Sequence, residues 1–178
     1  MAECLILGQA GIGKTSAVEE LLRRRRLAYD ADDKHRVPGL SGWFDMQGRP
    51  CDYQNDPKWR ANHQFLWDMT IVRGLITGRG RNQPLYFAGT AQNDLQAVQF
   101  FTHTVVLDAD VDTYCKRRVS VGRKTPYPRG DIDGYRAWLT GVLPGLRVAW
   151  RALGATILDT TGLTISQVVD CLTTIAEG

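Results

Sequence analysis

Gly8-Gln9-Ala10-Gly11-Ile12-Gly13-Lys14-Thr15 is the stretch whose reading decides the fold: a complete G-x-x-x-x-G-K-[ST] phosphate-binding loop. It follows the short apolar run Cys4-Leu5-Ile6-Leu7 and leads into Thr15-Ser16-Ala17-Val18-Glu19-Glu20-Leu21-Leu22, which reads as a helix. Strand, glycine loop and helix in that order are the context in which this motif holds a nucleoside triphosphate. Consecutive backbone N–H groups converge on phosphate oxygens, glycines leave the anion unobstructed, and the helix N-terminus adds its positive dipole end. The nucleotide-binding set read from the loop is Gly8, Gly11, Ile12, Gly13, Lys14, Thr15 and Ser16. Lys14 is expected to reach the β- and γ-phosphates, and the Thr15 hydroxyl to hold Mg²⁺.

The bulk numbers narrow the class. A chain of 178 residues, 43% hydrophobic and 23% charged, suits one globular unit across 1–178 with a real core. The net charge of +3 is too small to imply nucleic acid as a partner. No apolar stretch approaches the roughly 20 residues a membrane span needs, and the N-terminus lacks a basic leader. Cys4, Cys51, Cys115 and Cys171 are scattered without a CxxC pair, so reduced thiols and a cytoplasmic location are the expectation.

Outward from the loop, the first helix is expected over 14–26, ending in Arg23-Arg24-Arg25-Arg26. Cations suit a helix C-terminus, so a solvated helix end is the first reading and a nucleic-acid patch the alternative. Leu27-Ala28-Tyr29 reads as a second strand, leading to Asp30-Ala31-Asp32-Asp33. Carboxylates at the C-terminal end of a parallel strand stand on the ligand-binding edge of a doubly wound sheet. Alternation points Asp30 and Asp32 the same way, as a pair able to hold hydrated Mg²⁺ and take a proton from a hydroxyl. An ordinary polar turn is the alternative.

Further strands are expected at 84–88, 104–107 and 155–158, with helices at 92–100, 111–119, 131–152 and up to 176. Asp110 is a candidate cap for the helix at 111–119, and Pro144 is expected to kink or interrupt the long helix. Alternating strands and helices argue for a parallel sheet covered on both faces. Residues 34–82 fit this pattern least. They carry Trp43, Phe44, Tyr53, Trp59, Phe65 and Trp67 among polar residues, with one helix expected from about Pro57 to Ile76, capped by Asp56. Such an insert would overhang the phosphate site as an acceptor pocket, or its aromatics form a small core. The basic stretch Arg117 to Gly130 reads as a lid over the triphosphate, with a solvated basic loop as its alternative.

The loop at 8–15, the Asp30-x-Asp32 pair, the basic segment near 117–129 and the loop at 159–163 together resemble the small P-loop kinases of the adenylate, shikimate and gluconate kinase type. The resemblance spans nearly the whole chain. Tyr29-Asp30-Ala31-Asp32-Asp33, Gly42-Trp43-Phe44-Asp45, Gly89-Thr90-Ala91-Gln92-Asn93 and Trp150-Arg151-Ala152-Leu153-Gly154-Ala155 also look like bacterial shikimate-kinase-like ATP-binding proteins. The resemblance implies a P-loop NTPase three-layer α/β sandwich with a five-stranded parallel sheet, an acceptor insert at about 34–82 and a lid at about 118–130. It implies that Asp30 orders Mg²⁺ with Thr15, and that Asp32 contacts the acceptor hydroxyl and acts as base. It places Gly89 and Thr90 at the acceptor pocket, Arg118 near adenine, Arg123 at the phosphates, and Thr161, Gly162 and Leu163 beside the adenine ring. Arg117 and Lys124 compete for the lid roles. Arg36, Arg49 and Arg60 are the arginines on hand to bind an acceptor.

The function expected is ATP-dependent, Mg²⁺-assisted phosphoryl transfer to a small metabolite or nucleoside-like acceptor, with Lys14, Asp32 and Arg123 catalytic. A non-catalytic nucleotide switch and a nucleic-acid end kinase are the competing readings. Monomer and homodimer both stay open.

Overall fold

The computed structural model describes residues 2–33, 36–54, 56–78, 83–120 and 132–178. The main sheet is built from β1 (Glu3–Leu7), β2 (Leu27–Asp30), β6 (Leu85–Ala88), β7 (His103–Asp108) and β8 (Thr156–Asp159). Its order is β2-β6-β1-β7-β8, and every neighbouring pair is parallel. The middle strand β1 is flanked on both sides, with Leu5 opposite Phe87 on one and Thr104 on the other. That burial explains its unbroken apolar run. Cys4, Leu5 and Ile6 are fully buried, as is all of β6. Each large apolar side chain so buried contributes about 1.5–3 kcal/mol. Burial also pushes the Cys4 thiol up to about 12, which makes it an inert core residue.

Right-handed crossovers set the layers. Helix α1 (Lys14–Arg23) connects β1 to the edge strand β2, and the terminal helix α7 (Ile165–Glu177) packs beside it. On the other side of the topology, α5 (Val111–Ser120) packs against α6 (Ile132–Ala152) between β7 and β8. The five-stranded parallel α/β sandwich expected from the sequence is therefore present. Asp110 does cap α5, accepting from the Thr113 N–H at 2.6 Å. Thr164 opens α7 with a full capping box to Gln167. Helix α6 runs through Pro144 without interruption. Its buried face of Tyr135, Leu139, Leu143 and Trp150 holds it where one N–H is missing.

The arginine run closes the end of α1 rather than forming an outward patch. Helix α1 ends at Arg23, three residues short of the expected limit, and Arg25 takes a left-handed φ of 60°. Arg23 and Arg24 both donate to Glu20, Arg24 also reaches Asp170 and Ser166 of α7, and Arg26 pairs with Glu177. The Arg23 and Arg24 hydrogen bonds pull the Glu20 carboxyl down to about 2.

The insert differs from its expected form. The single helix over 57–76 is replaced by α2 (Pro57–Ala61), β5 (His63–Trp67) and α3 (Met69–Gly78). With β3 (Ser41–Asp45) and β4 (Pro50–Cys51), β5 makes a three-stranded antiparallel sheet in the order β4-β3-β5. Asp56 still caps α2, accepting from Lys58 and Trp59 N–H groups. The pairing of β3 with β5 from Ser41↔Trp67 to Asp45↔His63 overrides the helical pattern. Trp43 is the hub, with ring centroids 5.2 Å from Trp59 and 5.5 Å from both Tyr53 and Phe65.

Helix α6 is tied to the main sheet at the end of β7. Arg147 Nε donates to Asp108 Oδ2 at 2.6 Å and its Nη2 to the Ala109 carbonyl at 2.9 Å. The Tyr114 hydroxyl donates to the other Asp108 oxygen at 3.3 Å. Asp108 is only 5% exposed, so removing its guanidinium strands a buried carboxylate. Arg147→Met is expected to lower unfolding free energy by about 3 kcal/mol. Urea denaturation followed by tryptophan fluorescence checks this.

Candidate active site

The site forms where β1, β2, β6 and β7 end. Gly8 leaves β1 with φ 143°, and Gly11 (φ 88°) and Gly13 (φ 112°) complete the turn into α1. At Gly8 the restriction is also spatial: a Cβ would lie 2.6 Å from the Leu107 carbonyl oxygen of β7. Lys14 is 7% exposed and curls onto its own loop, with Nζ donating to the Gly8 carbonyl at 2.7 Å and to that of Gln9 at 3.4 Å. Thr15 and Ser16 are exposed at the start of α1.

The segment after β6 is bonded to the same loop. The Thr90 hydroxyl donates to the Gly8 carbonyl at 3.0 Å, and the Thr90 N–H donates to Asp32 Oδ1 at 3.1 Å. Asp30 is 5% exposed, and its Oδ1 accepts from the Asp32 N–H at 3.0 Å. The stretch forms a polar turn closed on the Asp30 carboxylate. Asp30 and Asp32 line one cleft of about 320 Å³ with Thr15, Val18, Glu19, Asp33 and Arg36. Asp32 keeps solvent access, yet crowding by surrounding protein raises its carboxyl above the ordinary range. The Lys14 charge and the Thr90 N–H oppose that shift, and Asp30 and Asp94 add to it. Burial likewise raises Asp94, which opens α4 (Asp94–Val98).

Gly89 is the close-approach point between the insert and the main sheet. A Cβ there would stand 2.7 Å from Trp67 Cζ2, 2.9 Å from Ala31 Cβ and 3.0 Å from Asp32 Oδ1. Gln92 and Asn93, next along, bind the free edge of β5. Gln92 exchanges bonds with Phe65 (its Oε1 accepting at 2.6 Å, its N–H donating at 3.0 Å), and the Asn93 amide exchanges two with the Trp67 backbone. The insert sheet is thereby fixed over the loop that follows β6.

On the opposite side of the phosphate loop, Arg117 is a brace. Its Nη1 donates to the Ile12 carbonyl and to Thr160 Oγ1, and its Nη2 to the Thr160 carbonyl. Desolvation lowers its pKa. Thr160 is fully buried, while Thr161 and Gly162 are exposed beyond it and Leu163 is half-buried. The Arg118 guanidinium lies 4.0 Å from the centroid of Tyr135, whose hydroxyl donates to the Ala10 carbonyl of the loop.

The structure therefore gathers Gly8 to Ser16, Asp30, Asp32, Gly89 and Thr90, and places Arg118 and Thr161 to Leu163 on the far side of the loop. Arg36 is on the cleft wall. Arg60 is not among the cleft-lining residues: its Nη2 donates to the Tyr53 hydroxyl at 2.7 Å inside the insert. Arg123 and Lys124, with most of the lid stretch 118–130, lie outside the described residues. Sequence reading assigned no role to Glu19, Asp94 or the Trp67 edge, which α1, α4 and the insert bring near the Asp32 carboxylate. Thr15 and Asp30 are oxygen donors on one cleft, which fits Mg²⁺ held mainly by phosphate oxygens and water. Among the described residues no group of three or more His, Cys, Asp or Glu side chains forms a metal cage, and no helix is long and apolar enough to cross a membrane.

No protein-family model and no curated protein matches the chain. Solved structures do. A shikimate kinase from Bacteroides thetaiotaomicron superposes with a TM-score of 0.59 at 14% identity, covering 99% of each chain. A shikimate kinase from Acinetobacter baumannii in complex with shikimate gives 0.56 at 16%, over 99% of this chain and 94% of that one. A gluconokinase from Sinorhizobium meliloti gives 0.50 at 15%, with the same coverage. At these identities the likeness establishes the fold, which is that of the small P-loop kinases.

Gly89→Ala tests the close approach. Neither the Trp67 ring nor the buried Ala31 methyl can yield cheaply, so the variant is expected to lose about 1–3 kcal/mol of stability. Thermal unfolding, with tryptophan emission as a local reporter, measures the loss.

Proposed function

We propose that the chain is an ATP-dependent phosphotransferase that moves a phosphoryl group to a hydroxyl of a small molecule. The observation that carries the reading is the hydrogen-bonded path from Lys14 through the Gly8 carbonyl and Thr90 to Asp32. It sets a phosphate-binding cation and a basic carboxylate on one framework, as in-line transfer requires. We take 1–178 as one catalytic unit, with 34–82 as its acceptor side and 118–130 as its nucleotide-closing side.

The loop N–H groups from Gly8 to Ser16 cradle the triphosphate, and Lys14 leaves its loop carbonyls for the β- and γ-oxygens. Mg²⁺, when bound through Thr15 and Asp30, neutralises phosphate charge. Arg118 and Thr161 to Leu163 border the adenine position. Gly89 and Thr90 line the acceptor side. Asp32 accepts the hydroxyl proton while the acceptor oxygen bonds to the γ-phosphorus. The bond from that phosphorus to the β–γ bridging oxygen breaks, and ADP leaves with the electron pair. Asp32, made more basic by its crowded setting, suits this task. The switch reading leaves this carboxylate unexplained. Of the Arg23–Arg26 track that the end-kinase reading would use, Arg23, Arg24 and Arg26 are engaged in intrachain ion pairs.

Lys14→Ala is expected to abolish acceptor-dependent ADP release. Asp32→Asn is expected to retain ATP binding and lose at least about 10²-fold in transfer rate. For the wild type, transfer should rise with pH along an acidic limb whose midpoint lies above the ordinary carboxylate value, and Asp32→Asn should lack that limb. The same shift predicts a stability effect. A carboxyl whose folded pKa is raised favours the native state when protonated and disfavours it increasingly as pH rises through the folded value. Ligand-free Asp32→Asn should therefore melt higher than the wild type at pH 7, with the gap closing toward pH 3. Unchanged transfer in Asp32→Asn would remove the base assignment.

A further inference from the structure

Among its described lining residues the cleft is mainly acidic, and Arg36, Arg49 and Arg60 each bond a neighbouring residue of the chain. Among the described residues lining it, Glu19, Asp30, Asp32 and Asp33 are carboxylates and Arg36 is the one cation. Arg36 Nε stands 3.3 Å from Asp33 Oδ2. Arg49 donates to Asp45 at 2.6 Å, and Arg60 donates to the Tyr53 hydroxyl with its guanidinium 5.4 Å from that ring's centroid. Asp94 adds a further negative charge to the surroundings of Asp32. A carboxylate or phosphate on the acceptor would enter this field against like charge, an arrangement interfaces use to reject partners.

Among the described residues, one buried donor at this corner has no hydrogen-bond partner. Trp67 is 3% exposed, and its Nε1 makes no hydrogen bond. Buried N–H groups are rarely left unpaired, because the lost solvation is not recovered. The ring edge that carries Nε1 also carries Cζ2, and Cζ2 faces Gly89 in the same corner as Asp32 Oδ1. Phe87, packed edge-on at 5.2 Å between centroids, supports the ring. That ring edge and the Asp32 carboxylate thus converge on Gly89.

We propose that the acceptor is a non-anionic alcohol, held between the Asp32 carboxylate and the Trp67 indole N–H, and that acceptors bearing a carboxylate or phosphate are rejected. The proposal rests on the phosphotransferase reading above. Trp67 N–H donates to an oxygen of the acceptor, and Asp32 takes the proton of the hydroxyl that is transferred to. A site with one buried donor and a carboxylate wall selects for hydroxyls and against added negative charge.

The test uses the full chain with Mg·ATP and acceptor pairs that differ in charge: shikimate methyl ester with shikimate, sorbitol with gluconate, and adenosine with adenosine monophosphate. In any pair that is turned over, kcat/KM for the neutral member should exceed that of the anionic one by at least about tenfold. Trp67→Phe, which keeps the ring and removes the N–H, should lose about tenfold in kcat/KM for the neutral acceptor with the KM for ATP unchanged. Equal or better use of the anionic member overturns the proposal, as does an unaltered Trp67→Phe. The charge comparison stands on the wild type alone if Trp67→Phe fails to fold. ATP binding without turnover of any pair would instead overturn the phosphotransferase reading, and the acceptor class with it.

Discussion

The Gly8 carbonyl is the point on which the site depends. It accepts from Lys14 Nζ at 2.7 Å and from the Thr90 hydroxyl at 3.0 Å, so the nucleotide side and the acceptor side share one oxygen. The position cannot tolerate a side chain, because β7 brings the Leu107 carbonyl within 2.6 Å of where a Cβ would be. The central strand can end there only as glycine. Three strands, β1, β6 and β7, are thereby brought to a common edge, and the dipole of α1 points at the space between them. The Thr90 N–H then carries the constraint to Asp32. Phosphate cation and candidate base are related through two residues instead of through two independently mobile loops.

The insert shows the same economy of connections. Its aromatic hub answers the question of whether Trp43, Tyr53, Trp59 and Phe65 make a pocket wall or a small core: they pack on one another. Trp67, the last residue of β5, brings the insert up against Gly89, next to Asp32. Gln92 and Asn93 hold that strand by its backbone, satisfying an edge that would otherwise offer unpaired N–H and carbonyl groups. Opposite, Arg117 joins the Ile12 carbonyl to the buried Thr160, so the loop after β8 is braced against the phosphate loop. Thr160 also bonds Asp108 through both its N–H and its hydroxyl, which ties β8 to β7 at the same edge.

The main sheet was legible because its signals are local. An apolar run of four residues, a glycine loop and a helical pattern lie within residues 3–22, and the later strands repeat the alternation at regular intervals. Asp56, Asp110 and Thr164 were legible as caps for the same reason, since a cap is decided within three residues. The insert was not. Phe65 and Trp67 alternate as strand residues do, but β5 is defined by partners on β3 some 18 to 26 residues away, and five residues between two helices leave the helical reading intact. The arginines were misleading for a related reason. Arg49 and Arg60 looked available for an anionic acceptor, whereas each bonds a residue of the insert itself.

The sequence by itself determined the phosphate loop, the parallel α/β architecture and the carboxylate pair at the end of β2, all of which rest on consecutive residues or on a short period. Only the tertiary structure decided what surrounds Asp32. Thr90 is 58 residues from it in the chain, Trp67 arrives through a strand of another sheet, and the charges that set the character of the cleft come from α1, the loop after β2 and α4. Electrostatics and close packing depend on distance in space, and chain separation carries no trace of them until the sheet and its insert are in place.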